Sequence, residues 1–254
     1  MDRSPAGRLV RRIAICILVV SPAACIEYVR VPLAVPLPAV GGSRPASPTS
    51  LQLIGEFGDG LWGQEQERAE MVGGAIGFSL EDRVELSAAA YETSRKVGTD
   101  SHDSEYGETT TGVRGKIRIG DFREGRASLA LHIAYMGAER ARSDVQDERL
   151  TALDIALPVE LYRSGPVVTD TRFGLYAAPR LVFQTFEDRL GRETTKGTMA
   201  AALVGVVARW RWFATMGELN FARTPTMSFS DATFPGGWIL LPMMSVRGII
   251  PLGD

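Results

Sequence analysis

The sequence predicts an all-β fold, an up-and-down antiparallel transmembrane β-barrel of about ten strands, with eight strands as the alternative. Two observations predict it. Apolar and polar residues alternate with a period of two in successive segments between residues 51 and 250. The gaps between these segments are in turn long and charged, then short, as in barrels with loops at one end and tight turns at the other. Residues 51–254 are therefore expected to form one barrel domain.

Composition and charge limit the classes of function. The chain has 254 residues, of which 45% are hydrophobic and 23% are charged, so it has enough apolar residues to fold. Its formal net charge of −2 provides no basic surface for nucleic acid. The sequence contains no Gly-rich phosphate loop, CxxC or HExxH pattern. We therefore expect no nucleic-acid partner, no cofactor and no metal.

Residues 1–24 have the layout of a signal peptide. Several arginines precede an apolar run at 13–20, and small residues follow at 21–24. A helix that crosses a bilayer needs about 20 apolar residues, so this run is too short to be one. The segment is expected to direct export.

The next segment, 25–50, is predicted to be a tether because it is rich in proline and glycine. It begins with Cys25, which follows Ala23 and Ala24. Ala-Ala-Cys resembles the end of a bacterial lipobox, in which the cysteine is acylated after cleavage. Lipid attachment at Cys25 and cleavage after Ala23 both remain open. The mature chain has at most one cysteine, so no internal disulfide is expected.

The clearest strands have one wholly apolar face. In the segment 127–135, for example, Leu129, Leu131 and Ile133 share a face opposite Ala130 and His132. Similar alternation occurs at 113–119, 153–162 and 171–184. Weaker segments that complete ten lie at 51–57, 71–80, 84–93, 198–209, 213–222 and 238–249.

Three prolines fall within these segments, at Pro158, Pro179 and Pro242. Each of them lacks the N–H that a ladder needs. A strand break or a bulge at one of these positions would change the strand count.

The apolar face is expected to contact lipid and the other face to line the lumen. The second face mixes charges with small residues, which suits the narrow interior of a barrel of about ten strands. Small residues expected inside include Ala130, Ala134, Ala152, Ala156, Gly174, Ala178, Ala200, Ala202 and Ala208. A soluble lipocalin-like carrier, whose apolar face surrounds a ligand, is the alternative.

Charged residues on the inner face are expected to form a salt-bridge network that fills the lumen, because buried charges must be paired. The predicted members are Arg114, Lys116, Arg118, Asp154, Glu160, Arg172, Arg180, Glu218 and Arg247. A conducting pore is the competing interpretation.

The long gaps are predicted to be loops that bind a surface ligand or protein. They are 58–69, 95–108, 138–148, 187–196 and 223–237. Aromatic residues lie near both ends of the segments, which is typical of two interfacial girdles.

Over residues 51–250 this pattern resembles the small single-chain outer-membrane β-barrels of bacteria with a Gram-negative-type envelope. The resemblance implies a monomer that contacts outer-membrane lipids, with both termini and the tether in the periplasm. It includes families that act as anchors, adhesins, narrow channels, lipid A deacylases and omptin-type proteases.

Catalysis has little support in the sequence. The chain contains two histidines, His102 and His132. The run from Asp100 to Ser104 has the residue types of a hydrolase site, but residues adjacent in sequence seldom converge as a triad. We expect a noncatalytic barrel that acts structurally or binds through its loops. An outer-membrane hydrolase, omptin-like or a lipid A deacylase, is the alternative.

Overall fold

The computed structural model describes residues 37–43, 49–62, 67–81, 83–99, 102–122, 126–140, 148–164, 172–188, 194–228, 233–234 and 236–252. They belong to one compact unit, 33–142 with 146–254. Within them the strands are β1 (Ser50–Trp62), β2 (Glu67–Leu80), β3 (Val84–Thr99), β4 (His102–Phe122), β5 (Ala127–Arg140), β6 (Glu148–Ala156), β7 (Val159–Ser164), β8 (Arg172–Asp188), β9 (Thr194–Trp210), β10 (Phe213–Arg223), β11 (Met227–Ser228), β12 (Thr233–Phe234) and β13 (Trp238–Pro251). No helix among the described residues is long and apolar enough to cross a membrane.

The strands close into an antiparallel barrel. Each span pairs with the next along the chain, and β1 pairs with β13, with Leu51 opposite Ile250. The strands β6 and β7 form one span, and β11 and β12 form a separate small hairpin. The wall therefore has ten spans. The predicted fold class and strand count are confirmed.

The break between β6 and β7 is explained by proline. Pro158 has no N–H, so it cannot donate to the ladder. Across the break, the N–H of Leu157 donates to the carbonyl of Pro179 at 3.2 Å. The N–H of Ala130 donates to the carbonyl of Pro158 at 3.1 Å. Pairing with both neighbouring strands thus continues, and the span stays in the wall.

Apolar side chains form the outer surface of the barrel. Leu175 is 63% exposed, Ile76 62% and Val113 60%. Their chain neighbours Tyr176 and Arg114 point inward and are buried. This arrangement is the reverse of the lipocalin-like alternative, in which the apolar face would enclose a ligand.

The residues of β9 that face the lumen differ from those predicted. Ala200 and Ala202 are exposed on the outside, whereas Met199, Leu203 and Val207 point inward and are buried. The predicted inward position of Ala200, Ala202 and Ala208 is therefore wrong. The strand is apolar on both faces, so alternation alone does not indicate which face is inside.

Strand extensions replace much of the predicted loops. The strands β3 and β4 pair out to Thr99 opposite His102, which lies within the predicted loop 95–108. The strands β1 and β2 pair out to Trp62 opposite Glu67, within 58–69. Strands likewise reach into 138–148 and 187–196, and 223–237 contains β11 and β12. Ladder hydrogen bonds join backbone groups, so polar side chains do not end them.

The two ends of the barrel are distinguished by their connections. We call the end that bears the connections after β2, β4, β7 and β9 the turn end, and the opposite end the loop end. Ser50 pairs with both Ser79 and Pro251, so the first strand begins and the last strand ends at the turn end. Residues 1–36, which include the predicted signal peptide, Cys25 and part of the predicted tether, lie outside the described residues.

The replacement Gly73→Ala is expected to lower the free energy of unfolding by about 1–3 kcal/mol through overpacking. A Cβ at Gly73 would lie 2.8 Å from the Cα of Tyr91 and still closer to the carbonyl oxygen of Ala90. Urea unfolding in lipid vesicles, followed by tryptophan fluorescence, measures the change. The matched control is Gly107→Ala, where an added Cβ meets no atom within 4 Å. Equal stability of the two variants would contradict this packing.

Candidate functional site

Residues 37–43 lie inside the barrel, and we call them the lumen segment. All of them are buried, and neither Leu37 nor Ser43 exposes any surface. They contact inward-facing side chains of β5, β7, β8 and β10. This part of the predicted tether is thus enclosed by the wall, while 25–36 and 44–48 lie outside the described residues.

Glu218 on β10 holds the middle of the lumen segment. One oxygen of its carboxylate, Oε2, accepts hydrogen bonds from the N–H of Val40 at 3.1 Å and the N–H of Gly41 at 3.2 Å. The same oxygen accepts from the hydroxyl of Tyr176 at 3.0 Å, and Oε1 accepts from the amide of Asn220 at 2.9 Å. Hydrogen bonds to a carboxylate are among the stronger ones in proteins. Glu218 therefore joins the wall to the middle of the segment.

The two ends of the lumen segment have partners of their own. The carbonyl of Pro38 accepts a hydrogen bond from Nη2 of Arg180 at 3.3 Å. The hydroxyl of Ser43 is bonded to that of Ser128 and lies 3.4 Å from Oε2 of Glu160. Because Ser128 lies near the start of β5, the Ser43 end of the segment is at the turn end of the barrel.

Two glycines let the segment fit. Gly41 has a φ of 68°, in the left-handed region that favours glycine. A Cβ at Gly42 would collide with the carboxylate of Glu160 and lie 2.8 Å from Nη2 of Arg209. Side chains at these positions would therefore push the segment out of its place.

An apolar layer crosses the lumen between these contacts and the loop end. Leu37 belongs to one cluster of buried apolar side chains that includes members from nine strands around the wall. Examples are Met71 on β2, Leu150 on β6, Phe186 on β8 and Ile239 on β13. Leu37 is the member contributed by the lumen segment, so the segment helps to close the lumen.

Several arginine–carboxylate pairs of the described residues lie in the lumen. They are Glu56–Arg114, Glu85–Arg247, Asp154–Arg180 and Glu160–Arg209. The Asp154–Arg180 pair is bidentate, with Nε 2.9 Å from Oδ1 and Nη2 2.5 Å from Oδ2, and neither side chain is exposed. Arg180 also donates to Asn220 at 2.9 Å, so this pair is linked to the site of Glu218.

Most of the predicted network members lie in the lumen. The buried ones are Arg114, Lys116, Asp154, Glu160, Arg180, Glu218 and Arg247. Arg118 also lies on the inner face, beside a bulge near the end of β4; it is 3.6 Å from Asp121, and its side chain is 17% exposed. Arg172 departs from the prediction, because it is the exposed first residue of β8 at the turn end.

Three members of the pairs named above were not predicted: Glu56, Glu85 and Arg209. The two glutamates lie on β1 and β3, whose alternation is weak in the sequence. One signal in the sequence could have predicted the two glutamates. The predicted inward basic residues outnumber the predicted carboxylates, and buried charges require partners of opposite sign. Glu85, for example, faces Lys116 across the ladder.

The two sides of the lumen differ in how well their polar groups are bonded. Within the described residues, the buried side-chain atoms without a hydrogen-bond partner all lie on β13, β1, β3, β4 and β5. They belong to Gln52, Glu85, Thr93, Thr110, Arg114, His132, Ser245 and Arg247. Buried polar groups normally have a partner, which is often an ordered water molecule. This side of the wall is therefore the one that water would solvate.

The two histidines lie on β4 and β5. His132 is buried in the lumen opposite Lys116 and Ala156, and neither ring nitrogen has a hydrogen-bond partner in the described part of the chain. His102 is the first residue of β4, and its side chain lies outside the described features. Among the described residues, no group of three or more His, Cys, Asp or Glu is placed to hold a metal ion.

Similarity to known proteins is found among solved structures. No protein-family model matches the chain, and no curated protein sequence matches it. The β domain of the Bordetella autotransporter BrkA is 10% identical, with 79% of this chain and 99% of that chain covered and a TM-score of 0.47. The translocator domain of autotransporter NalP from Neisseria meningitidis is 9% identical, with 80% and 88% covered and a TM-score of 0.42. The outer membrane protease OmpT from Escherichia coli is 10% identical, with 79% and 94% covered and a TM-score of 0.35.

The replacement Asp154→Asn is expected to lower the free energy of unfolding by about 3–5 kcal/mol, because it leaves the buried charge of Arg180 without its carboxylate. Urea unfolding in vesicles measures the loss. The matched control is Asp59→Asn, which breaks the exposed bidentate pair with Arg68, at 3.0 and 2.6 Å. Solvent replaces that interaction, so the control should unfold at nearly the wild-type urea concentration. An equal loss in both variants would contradict the buried network.

Proposed function

We propose that the chain is a noncatalytic integral β-barrel of the bacterial outer membrane, closed by its own lumen segment, with a structural or binding role at its loop end. The observation that carries the proposal is the outer surface. Leucine, valine, isoleucine and phenylalanine side chains are exposed on strands all around the wall. Soluble monomers rarely expose a continuous apolar area of more than a few hundred Å². A surface of this kind is suited to lipid.

Aromatic residues at the two barrel ends support the same proposal. At the turn end, the rings of Trp210 and Phe213 lie 5.5 Å apart. At the loop end, Phe221 stacks on Trp238 at 4.8 Å, and the guanidinium of Arg223 lies 5.5 Å from the ring of Trp238. Aromatic rings with a cationic neighbour are typical of the boundary between lipid and water. We take the loop end to face the outside and the turn end the periplasm.

We infer the partners of the chain from its single-chain barrel. Outer-membrane lipids are the partners of its outer surface, and the closed sheet needs no second copy. A surface ligand or protein would bind the connections at the loop end. Cleavage of 1–24 and acylation of Cys25 stay predictions from the sequence.

The variant Val204→Arg tests the membrane location. Val204 is 57% exposed in the middle of an outward apolar run on β9 that ends at Trp210. Arginine at the bilayer midplane destabilises a barrel by about 2–4 kcal/mol and costs far less near the interface. The control Leu252→Arg adds the same charge just beyond β13, at a residue that is 49% exposed. Urea unfolding in vesicles should separate the two variants, and a soluble barrel would tolerate both.

Replacement of both histidines tests the absence of catalysis. We expect the double variant His102→Gln with His132→Gln to leave lipid A acylation and outer-membrane peptide cleavage as in cells that carry the wild-type chain. Heat-modifiable gel mobility confirms that the barrel is folded. A change in either product in a folded variant would favour the hydrolase alternative.

A further inference from the structure

The lumen segment has a definite direction along the barrel. The hydroxyl of its last residue, Ser43, is bonded to that of Ser128, the second residue of β5, which begins at the turn end. The N–H groups of Val40 and Gly41 donate to Glu218, the middle residue of β10. Between Ser43 and Val40, the segment therefore extends from the turn end to the middle of the barrel.

The residues before Val40 continue in the same direction. The carbonyl of Pro38 accepts a hydrogen bond from Arg180, the middle residue of β8. Leu37 belongs to the apolar layer, whose member Phe186 lies near the loop end of β8. Leu37 is thus on the loop-end side of Glu218, and Ser43 is on the turn-end side. From N to C terminus, the chain runs through the lumen from the loop end toward the turn end.

This direction decides from which side the preceding residues approach. After Ser43 the chain is at the turn end, where β1 begins at Ser50. If the residues before Leu37 also came from the turn end, they would have to pass the lumen a second time. The interior of a ten-strand barrel is narrow, and here it also holds enclosed wall pairs such as Asp154–Arg180. A second stretch of backbone would need partners for its own N–H and C=O groups.

We propose that the chain passes through the barrel once, so that the residues before 37 lie on the loop-end side, outside the cell. This side is opposite to the periplasmic position that the resemblance implies for the N terminus. We call residues 25–36 the N-terminal arm. The arm would then be available to partners outside the cell, as the proposed binding role at the loop end requires.

The same direction has a consequence for the predicted lipid site. Fully extended, the N-terminal arm reaches about 40 Å from the lumen segment. An acyl group on Cys25 would therefore insert into the outer leaflet of the membrane, and not into the periplasmic leaflet. This inference rests on the proposed function, namely insertion into the outer membrane with the loop end outside.

Cysteine labelling of whole cells tests the position of the arm. The variant Val31→Cys places a thiol in the arm. Gly107→Cys marks the loop end, at an exposed residue of β4, and Arg211→Cys marks the turn end, at an exposed residue between β9 and β10. The reagent is a maleimide on a polymer too large to cross the outer membrane, and its attachment shifts the protein on a gel. We expect Val31→Cys to shift in intact cells as Gly107→Cys does, and Arg211→Cys only after permeabilisation.

The wild-type chain provides the baseline for native thiols. If it does not shift, the added cysteine accounts for each signal. If it shifts, Cys25 carries a free thiol, and Cys25→Ser is introduced into all three variants. Heat-modifiable gel mobility confirms that each barrel is folded, and Ala34→Cys replaces Val31→Cys if that variant does not fold.

The outcomes separate this inference from the proposed function. A folded Val31→Cys variant that shifts only after permeabilisation would show that the arm is periplasmic and would overturn the single passage. A variant that stays unreactive after permeabilisation would also overturn it, because the arm would not leave the barrel. Equal labelling of Gly107→Cys and Arg211→Cys in intact cells would instead contradict the proposed insertion into the membrane.

Discussion

Closure of the backbone ladder is the constraint on which the rest of the structure depends. In a hydrocarbon layer, every N–H and C=O group must be bonded within the protein. The pairing of β1 with β13 leaves no open edge in the sheet. Closure also divides the side chains, because outward positions meet the surroundings and inward positions share a narrow interior. Charges, amides and a short piece of irregular chain are all placed in that interior.

The interior stabilises buried carboxylates in two ways. Asp154 is held by the guanidinium of Arg180, which compensates its charge directly. Glu218 is held instead by a phenol, an amide and two backbone N–H groups. In the second arrangement half of the donors belong to the lumen segment, so the wall and the segment depend on the same carboxylate.

The sequence predicts much of the wall because alternation reports burial directly. On β5 and β8 one face is apolar and the other polar, so strand, face and lumen charge could all be predicted. On β9 both faces are apolar, and the assignment of faces was wrong. The ends of β3 and β4 were also missed, because ladder hydrogen bonds continue where side chains become polar.

The lumen segment has no periodicity that would indicate its position. Proline and glycine correctly exclude regular structure there, but they do not distinguish an exposed tether from an enclosed one. Whether the segment is enclosed depends on its contacts with Glu218, which is 178 residues away from Val40 in the chain. Non-local contacts of this kind leave no local pattern in the sequence.

The separation between the lumen segment and its partners has a consequence for the order of assembly. Residues 37–43 are made before every strand of the wall, but the side chains that bind them belong to β5, β7, β8 and β10. The segment therefore cannot form its native contacts until the second half of the chain is present. The first and last strands then pair around a segment that is already covalently attached to the first strand.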